Sequence, residues 1–296
     1  MRRPRIVVVG DVGVDVLVEP LVPPVRGADV PARIRTCPGG AGANTAAWLV
    51  HLGADVTLVA RVGDDVSGRA AAADLTAAGV RPAVAVDPHA PTCTVVVLLD
   101  GDRTMASDRG AAARLVPDDL PRLDGADHLH LSGYVLLDPS SRAAGLSALA
   151  AARAAGLSTS VDPQAAPALT DEFRTWVRGV DLLLPNADEL RALGGADGVL
   201  DVVGAVVATA GADGATWEDA TGRWAVASPP VEPVDTTGAG DAFDAGLLVA
   251  RLRGAGPEDA LRAGCRSGGA AVARLGARPP VGAAHRATDT RSGRPS

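Results

Sequence analysis

The segment 234–243, VDTTGAGDAF, places Asp235 and Asp241 on either side of two threonines and a Gly-Ala-Gly triplet. Apolar residues then recur at helical spacing (Ala242, Phe243, Ala245, Gly246, Leu247, Val249, Leu252), which predicts a helix starting at the triplet. A helix start leaves backbone N–H groups unpaired at the positive end of the helix dipole. The amides of Gly238, Ala239 and Gly240 are therefore a candidate anion hole. Asp241, at its edge, can take the proton from an alcohol. Phosphoryl transfer needs this pairing of positioned donors with a base. Asp244, one turn on, is a rival base, and the plain alternative is that Asp241 only complements the dipole.

A second small-residue loop, PGGAGANTA (38–46), contains Gly39, Gly40 and Gly42, which permit a sharp turn and close approach of a ligand to the backbone. Asn44 offers both a donor and an acceptor for a hydroxyl, or it simply caps a helix. Asp15 follows the first strand, at the edge where open α/β sheets bind ligands. It reads as a hydroxyl acceptor or as a solvated loop acid. The glycines of VVVGDVGVD (7–15) do not fit GxGxxG, which speaks against a nicotinamide dinucleotide.

The composition removes several alternatives. With 28 basic and 35 acidic residues the net charge is −7, so nucleic acid is not an expected partner. All 28 basic residues are arginine, which excludes the Walker-A lysine and Schiff-base chemistry. Any phosphate must be held by backbone amides, arginine or a metal. Cys37, Cys93 and Cys265 are widely spaced and odd in number, which fits a reduced, cytoplasmic protein without a disulfide framework. The start, MRRPRIVVVGDVGVDVLV, has basic then apolar residues like a signal peptide, but Asp11 and Asp15 interrupt it, and a first β-strand is expected instead. No apolar run reaches the ~18 residues of a membrane span.

The elements that must position these loops follow from periodicity. Strands are expected at 5–10, 55–63, 157–163 and 180–186, and helices at 42–53, 67–80, 141–156 and 187–195. The stretch 202–211 is a strand or a helix turning into one, and 214–230 is a hairpin. This alternation predicts a parallel sheet covered on both faces. Segment 14–37 and a hairpin at 92–107, turning at Asp100-Gly101, lack crossover helices and are expected to form a small accessory sheet. No repeat or long linker appears. The final stretch has no periodicity and reads as a disordered tail.

The set GGAGAN (39–44), NADE (186–189), TAGADGA (209–215) and DTTGAGDAF (235–243) resembles the ribokinase-like, PfkB-type carbohydrate kinases over about residues 5–277. The resemblance implies a three-layer α/β/α sandwich with a mainly parallel central sheet and a small β-sheet lid. The kinase domain would span 1–277, with lid segments about 14–37 and 84–108 and a tail at 278–296. It also implies ATP-dependent phosphorylation of a hydroxymethyl group with Mg²⁺ and, in some members, K⁺.

Carried over by position, Asp241 is the catalytic base, Gly238, Ala239 and Gly240 the anion hole, and Asp15, Gly39, Gly40 and Asn44 the sugar contacts. Asn186 and Glu189 would order Mg²⁺ and the phosphates through water, a manner that suits a reluctantly dehydrated cation. Thr209, Gly211 and Gly214 would line the nucleotide. Asp235 and Thr237, with carbonyls near Ala271, Arg274 and Gly276, fall where relatives hold a monovalent ion.

Two departures count against ribose. Many ribokinases have lysine where Ala41 stands, and a glutamate after the strand where this chain has Ser132, Gly133 and Tyr134. Tyr134 reads as a pocket wall. Arg109 reads either as a solvated loop arginine or as the partner of an acidic sugar. The expected activity is a sugar kinase. A nucleoside kinase is the alternative, disfavoured by the scarcity of aromatics, and a non-catalytic sugar-binding regulator is the third reading. An open lid-sheet edge would invite a homodimer.

Overall fold

The computed structural model describes residues 2–99 and 103–280. The turn expected at Asp100-Gly101, and the tail beyond residue 280, lie outside the described residues.

The larger sheet is built on β1 (Arg5–Val9), whose RIVVV run is buried from its second residue onward, as a strand covered on both faces must be. Side chains alternate across the sheet. Ile6 and Val8 pack on one side with Trp48, Leu49, Leu247, Leu248 and Leu261. Val7 and Val9 pack on the other with Leu129, Leu131, Leu149 and Phe173. The helices that supply the first side are α1 (Ala41–His51), α7 (Ala239–Leu252) and α8 (Pro257–Val272), with α2 (Val66–Ala77) at its edge. The second side is covered by α3 (Tyr134–Leu137), α4 (Arg142–Ala154) and α5 (Asp171–Trp176), and α6 (Ala187–Ala192) lies beyond them. The result is a three-layer α/β/α sandwich.

Strand order in this sheet is β13-β12-β11-β10-β9-β8-β1-β4-β5. It uses β4 (Asp55–Gly63), β5 (Arg81–Asp87), β8 (His128–Ser132), β9 (Ser158–Asp162), β10 (Leu182–Leu183) and β11 (Ala205–Thr209), all parallel. An antiparallel edge hairpin, β12 (Ala215–Asp219) and β13 (Gly222–Val226), completes it. The ambiguous 202–211 stretch is thus a strand at its core.

A four-stranded second sheet has the order β3-β2-β6-β7, from β2 (Gly13–Pro20), β3 (Ala32–Gly39), β6 (Cys93–Leu99) and β7 (Arg103–Asp108). The expected lid segment at about 84–108 needs correction. Residues 84–87 belong to β5, which pairs with β4 in the large sheet, so the accessory strand starts at Cys93. Asp65, the N-cap of α2, fixes that start by accepting from Thr92 N and Thr92 Oγ1, both at 2.7 Å.

One polar row crosses the buried sheet. His128 Nδ1 lies 2.8 Å from Ser158 Oγ and its Nε2 2.8 Å from Ser160 Oγ, which is also 2.9 Å from His130 Nδ1. Burial pushes both imidazoles down to about 3, so they stay neutral, and the serines meet their polar needs. Among the described residues no helix is long and apolar enough to cross a membrane.

Candidate active site

The parallel strands deliver polar residues to one rim. Asp11 follows β1, Ser132 ends β8, Asp162 ends β9, Asn186 follows β10, and Thr209 ends β11. This carboxyl rim is where open α/β sheets bind ligands. The N-termini of α1 and α7 come to the same place.

Asp241 is buried in the first turn of α7. Its Oδ2 accepts from Asn44 Nδ2 at 3.0 Å, and its Oδ1 accepts from Thr45 Oγ1 at 3.4 Å. Burial, then repulsion from Asp162 and Asp11, pushes its carboxyl up to about 8, against the opposing bonds from Asn44 and Thr45. Gly238 is left-handed at φ 74°, and a side chain there would lie 2.7 Å from the Ala277 carbonyl oxygen.

One of the three amides expected to form an anion hole is already engaged. Ala239 N donates to the Thr236 carbonyl at 3.3 Å, because the left-handed residue before it folds that amide back over the loop. Gly238 and Gly240 have no such acceptor among the described residues. Of the three amides expected to form the hole (Gly238, Ala239 and Gly240), only that of Ala239 is thus engaged within the loop.

A 360 Å³ cavity opens beside Gly240, lined by Asp162, Asn186, Glu189, Asp241 and Asp244 among others. Asn186 and Glu189 form a reciprocal cap: Asn186 N and Nδ2 donate to the two Glu189 oxygens at 2.8 and 2.7 Å, and Glu189 N donates back to Asn186 Oδ1. Burial raises Glu189 to about 7, against these bonds. Asp162 and Asp244 are both raised well above the usual carboxylate range, first by burial and then by their acidic neighbours. Asp244 Oδ2 is buried with no hydrogen-bond partner among the described residues. Asp162 accepts from Gln164 N and Nε2, and Gln164 is held at φ 69° on the cavity wall.

Across Thr209, Thr236, Ala239 and Gly240 this cavity continues into a 690 Å³ apolar groove. Gly211 and Gly214 line it together with Pro229, Val231, Phe243 and Val272. All three residues expected to line a nucleotide therefore meet in one continuous channel.

On the other side of Asp241 the lid begins. Gly39 and Asp15 are so close that any side chain at Gly39 would run into the Asp15 carboxylate. Gly40, the N-cap of α1, has φ 91°, and a Cβ there would lie 2.6 Å from the Asp11 carbonyl oxygen. Arg109 is not a solvated loop residue: its guanidinium stacks 5.1 Å from the Tyr134 ring centroid and lies 3.4 Å from Asp138. The expected boundary at 277 also falls short, since Arg278 donates to Asn44 Oδ1 at 3.2 Å and to the Gly39 carbonyl at 2.9 Å.

The residues expected to hold a monovalent ion are joined by hydrogen bonds. Asp235 Oδ1 accepts from Thr237 N (2.9 Å) and Thr237 Oγ1 (2.6 Å), and Oδ2 accepts from Gly276 N at 3.0 Å. Ala271 and Arg274 come from the end of α8 and the turn after it.

Asp11, Thr45, Asp162 and Arg278 were not singled out from the sequence. Asp11 and Asp162 did carry a usable signal, a carboxylate at or just past the end of a buried strand run. Thr45 and Arg278 carried none that separates them from a helix residue and a tail.

The pfkB family carbohydrate kinase model matches residues 3–283. A fructokinase of Klebsiella pneumoniae is 34% identical over 269 residues, 83% of this chain and 83% of the relative. The ribokinase of Bacillus subtilis (strain 168) is 30% identical over 282 residues, 92% of this chain and 94% of the relative. In fold, the adenosine kinase of Sinorhizobium meliloti superposes with a TM-score of 0.85 at 24% identity, covering 96% of this chain and 98% of that one.

Proposed function

The chain belongs to the pfkB family of carbohydrate kinases, and from that premise we propose that it transfers the γ-phosphoryl group of ATP to a hydroxymethyl group of a sugar or sugar derivative. The observation that carries this reading is Asp241, buried beside the amides of Gly238 and Gly240, which have no acceptor among the described residues, where the lid side meets the channel. In this reading the alcohol lies between the lid and Asp241, held by Asp15, the Gly39–Gly40 backbone and Asn44. The carboxylate takes the proton as the oxygen attacks phosphorus. The glycine amides then face the charge that develops on the phosphoryl oxygens.

The channel fits ATP in two parts: the apolar groove suits the adenine end, and the polar cavity suits the phosphates. The cavity also fits Mg²⁺, since its donors are hard oxygens and one of them, on Asp244, lacks a partner. Glu189 would hold the ion through water, with Asp162 and Asp244 facing it. A bound Mg²⁺ supplies charge neutralisation on the phosphates. Because Asp235 already ties 235–237 to 276, K⁺ is read as stiffening that link rather than as a requirement.

A coupled assay of ATP consumption against free sugars, sugar acids and nucleosides, with and without K⁺, tests the proposal. Turnover with a free sugar is expected. Consumption driven only by nucleosides would favour the nucleoside-kinase alternative, and none with any alcohol would leave a sugar-binding regulator. A homodimer is expected through the lid face opposite Asp15, where Ile34 and Val96 are exposed. Ile34→Glu should then elute as a monomer, and an unchanged elution volume would count against that interface.

Two glycines of the loop should respond differently to alanine. Gly238→Ala forces a left-handed backbone on a residue with a Cβ and drives it into Ala277, so a loss of roughly 2 kcal/mol or more is expected in urea unfolding. Around Gly240 a Cβ meets no protein atom within 4 Å. Gly240→Ala should therefore melt like the parent, while its methyl group intrudes where cavity and groove join and lowers kcat/KM for ATP by ~10²-fold. Equal kcat/KM in that variant would move the phosphates away from Gly240.

A further inference from the structure

Arg278 makes two hydrogen bonds that bear directly on Asp241. Its Nη2 donates to the Gly39 carbonyl at 2.9 Å, and its Nε donates to Asn44 Oδ1 at 3.2 Å. A side-chain amide has one accepting and one donating end. With its oxygen turned to the guanidinium, Asn44 presents Nδ2 to Asp241 Oδ2 at 3.0 Å. The reversed amide would set its oxygen against a carboxylate and its NH₂ group against a cation. Two repulsions would replace two attractions. The charge on Arg278 therefore fixes which way Asn44 points.

The placement of Arg278 does not depend on its own side chain. The neighbouring Ala277 carbonyl accepts from Trp48 Nε1 at 2.8 Å, and Ala277 itself packs against Gly238. The segment is thus pinned between α1 and the loop before α7. Burial lowers the guanidinium's pKa, while Asp74, Asp15 and Asp241 pull it back up. An arginine keeps its proton under those conditions.

We infer that Arg278 is a positioning residue for the phosphoryl acceptor's activation: it orients the Asn44 amide toward Asp241 and ties the Gly39 turn to that amide. This rests on the reading of Asp241 as the base. Without the guanidinium, Asn44 is free to turn, and Asp241 loses a hydrogen bond and a nearby positive charge that both favour its ionised form. The carboxyl then ionises at higher pH. A base works only when ionised, so activity near neutrality falls and returns as pH rises.

The test measures kcat, KM and melting temperature across pH for Arg278→Gln and Arg278→Lys, each alone and combined with Asn44→Ala, with Asp241→Asn as reference. Arg278→Gln should shift the acid limb of kcat upward by about one pH unit and cost ~10-fold near neutrality, mostly recovered in alkali. Arg278→Lys restores charge without the two-pronged grip and should fall between the two. In the Asn44→Ala background, losing Arg278 should cost clearly less than its ~10-fold effect alone, because only the direct loss of charge near Asp241 remains.

An unshifted acid limb with a raised sugar KM would overturn the inference and leave Arg278 as a substrate contact. Independent, multiplying losses in the double variant would overturn it as well. Near-normal turnover of Asp241→Asn would sink the underlying assignment of the base, a result read separately from any Arg278 profile. If the glutamine variant melts early, the lysine variant carries the test, with a smaller upward shift of the acid limb expected and no shift counting against the inference.

Discussion

Asp241→Asn is expected to lower kcat by ~10²- to 10⁴-fold, the range that removal of a positioned general base produces. The substitution is nearly isosteric: the amide oxygen at 241 can still accept from Asn44 Nδ2, and its NH₂ can donate to Thr45 Oγ1, with Asn44 left as Arg278 holds it. Binding of ATP and sugar, followed by calorimetry, should therefore persist. Melting temperature should hold or rise, because the variant no longer carries a buried carboxyl pushed up to about 8. That shift also fixes the sign of the pH dependence. The parent should gain activity with rising pH as the carboxyl ionises, and the limb should be absent from whatever turnover the asparagine variant retains. A loss under about 10-fold would place the base elsewhere, with Asp244 the first candidate.

The legibility of this site in the sequence followed distance along the chain. The helix start at the Gly-Ala-Gly-Asp loop, with its carboxylate in the first turn, was readable because small residues before an apolar period of 3.6 are a local signal. The reciprocal cap of Asn186 and Glu189 is equally local, but read from the sequence that pair has only a role toward Mg²⁺ and phosphate, and the cap is not included. Ala239 shows the limit of that reasoning. Its type and position suit a donor, but the left-handed turn at Gly238 directs its amide to Thr236, and no residue pattern announces that.

Asp11 and Ser132 are separated by 121 residues and meet only because β1 and β8 are neighbours in the sheet. Strand order sets that adjacency, and local periodicity is silent about strand order. Residues 84–87 were misplaced for a related reason: a short alternating run fits either sheet, and only pairing with β4 decides. Arg278 was lost among prolines and arginines that resemble a tail. What holds it is a carbonyl bonded to Trp48, 229 residues earlier.

Asp244→Asn is expected to make the protein more stable and a poorer enzyme. Asp244 is 2% exposed, and its Oδ2 has no hydrogen-bond partner among the described residues. Burial, then Asp162, Asp241 and Glu189, raises its pKa well above the ordinary 3.8. In the unfolded chain the carboxyl ionises near that ordinary value, whereas in the folded chain it keeps its proton to higher pH. Folding is therefore penalised progressively as pH rises above the unfolded value, until the folded group ionises too.

An asparagine at 244 removes that pH-dependent cost and can donate an N–H to the acidic neighbours. A gain of ~1–3 kcal/mol at pH 8 follows, of the size expected for relieving an unsatisfied buried acceptor, and it should shrink toward pH 4. The same orphaned oxygen faces the cavity proposed for Mg²⁺ and the phosphates, so the variant gives up a ligand-facing charge. Stabilisation by Mg²⁺ with nucleotide should then be smaller for Asp244→Asn than for the parent, and kcat should fall. Thermal unfolding at pH 4 and 8, with and without Mg²⁺ and nucleotide, separates these effects. A variant less stable than the parent at pH 8 would show that Asp244 is a satisfied part of the core, and that the strain in this acidic cluster is not reserved for binding.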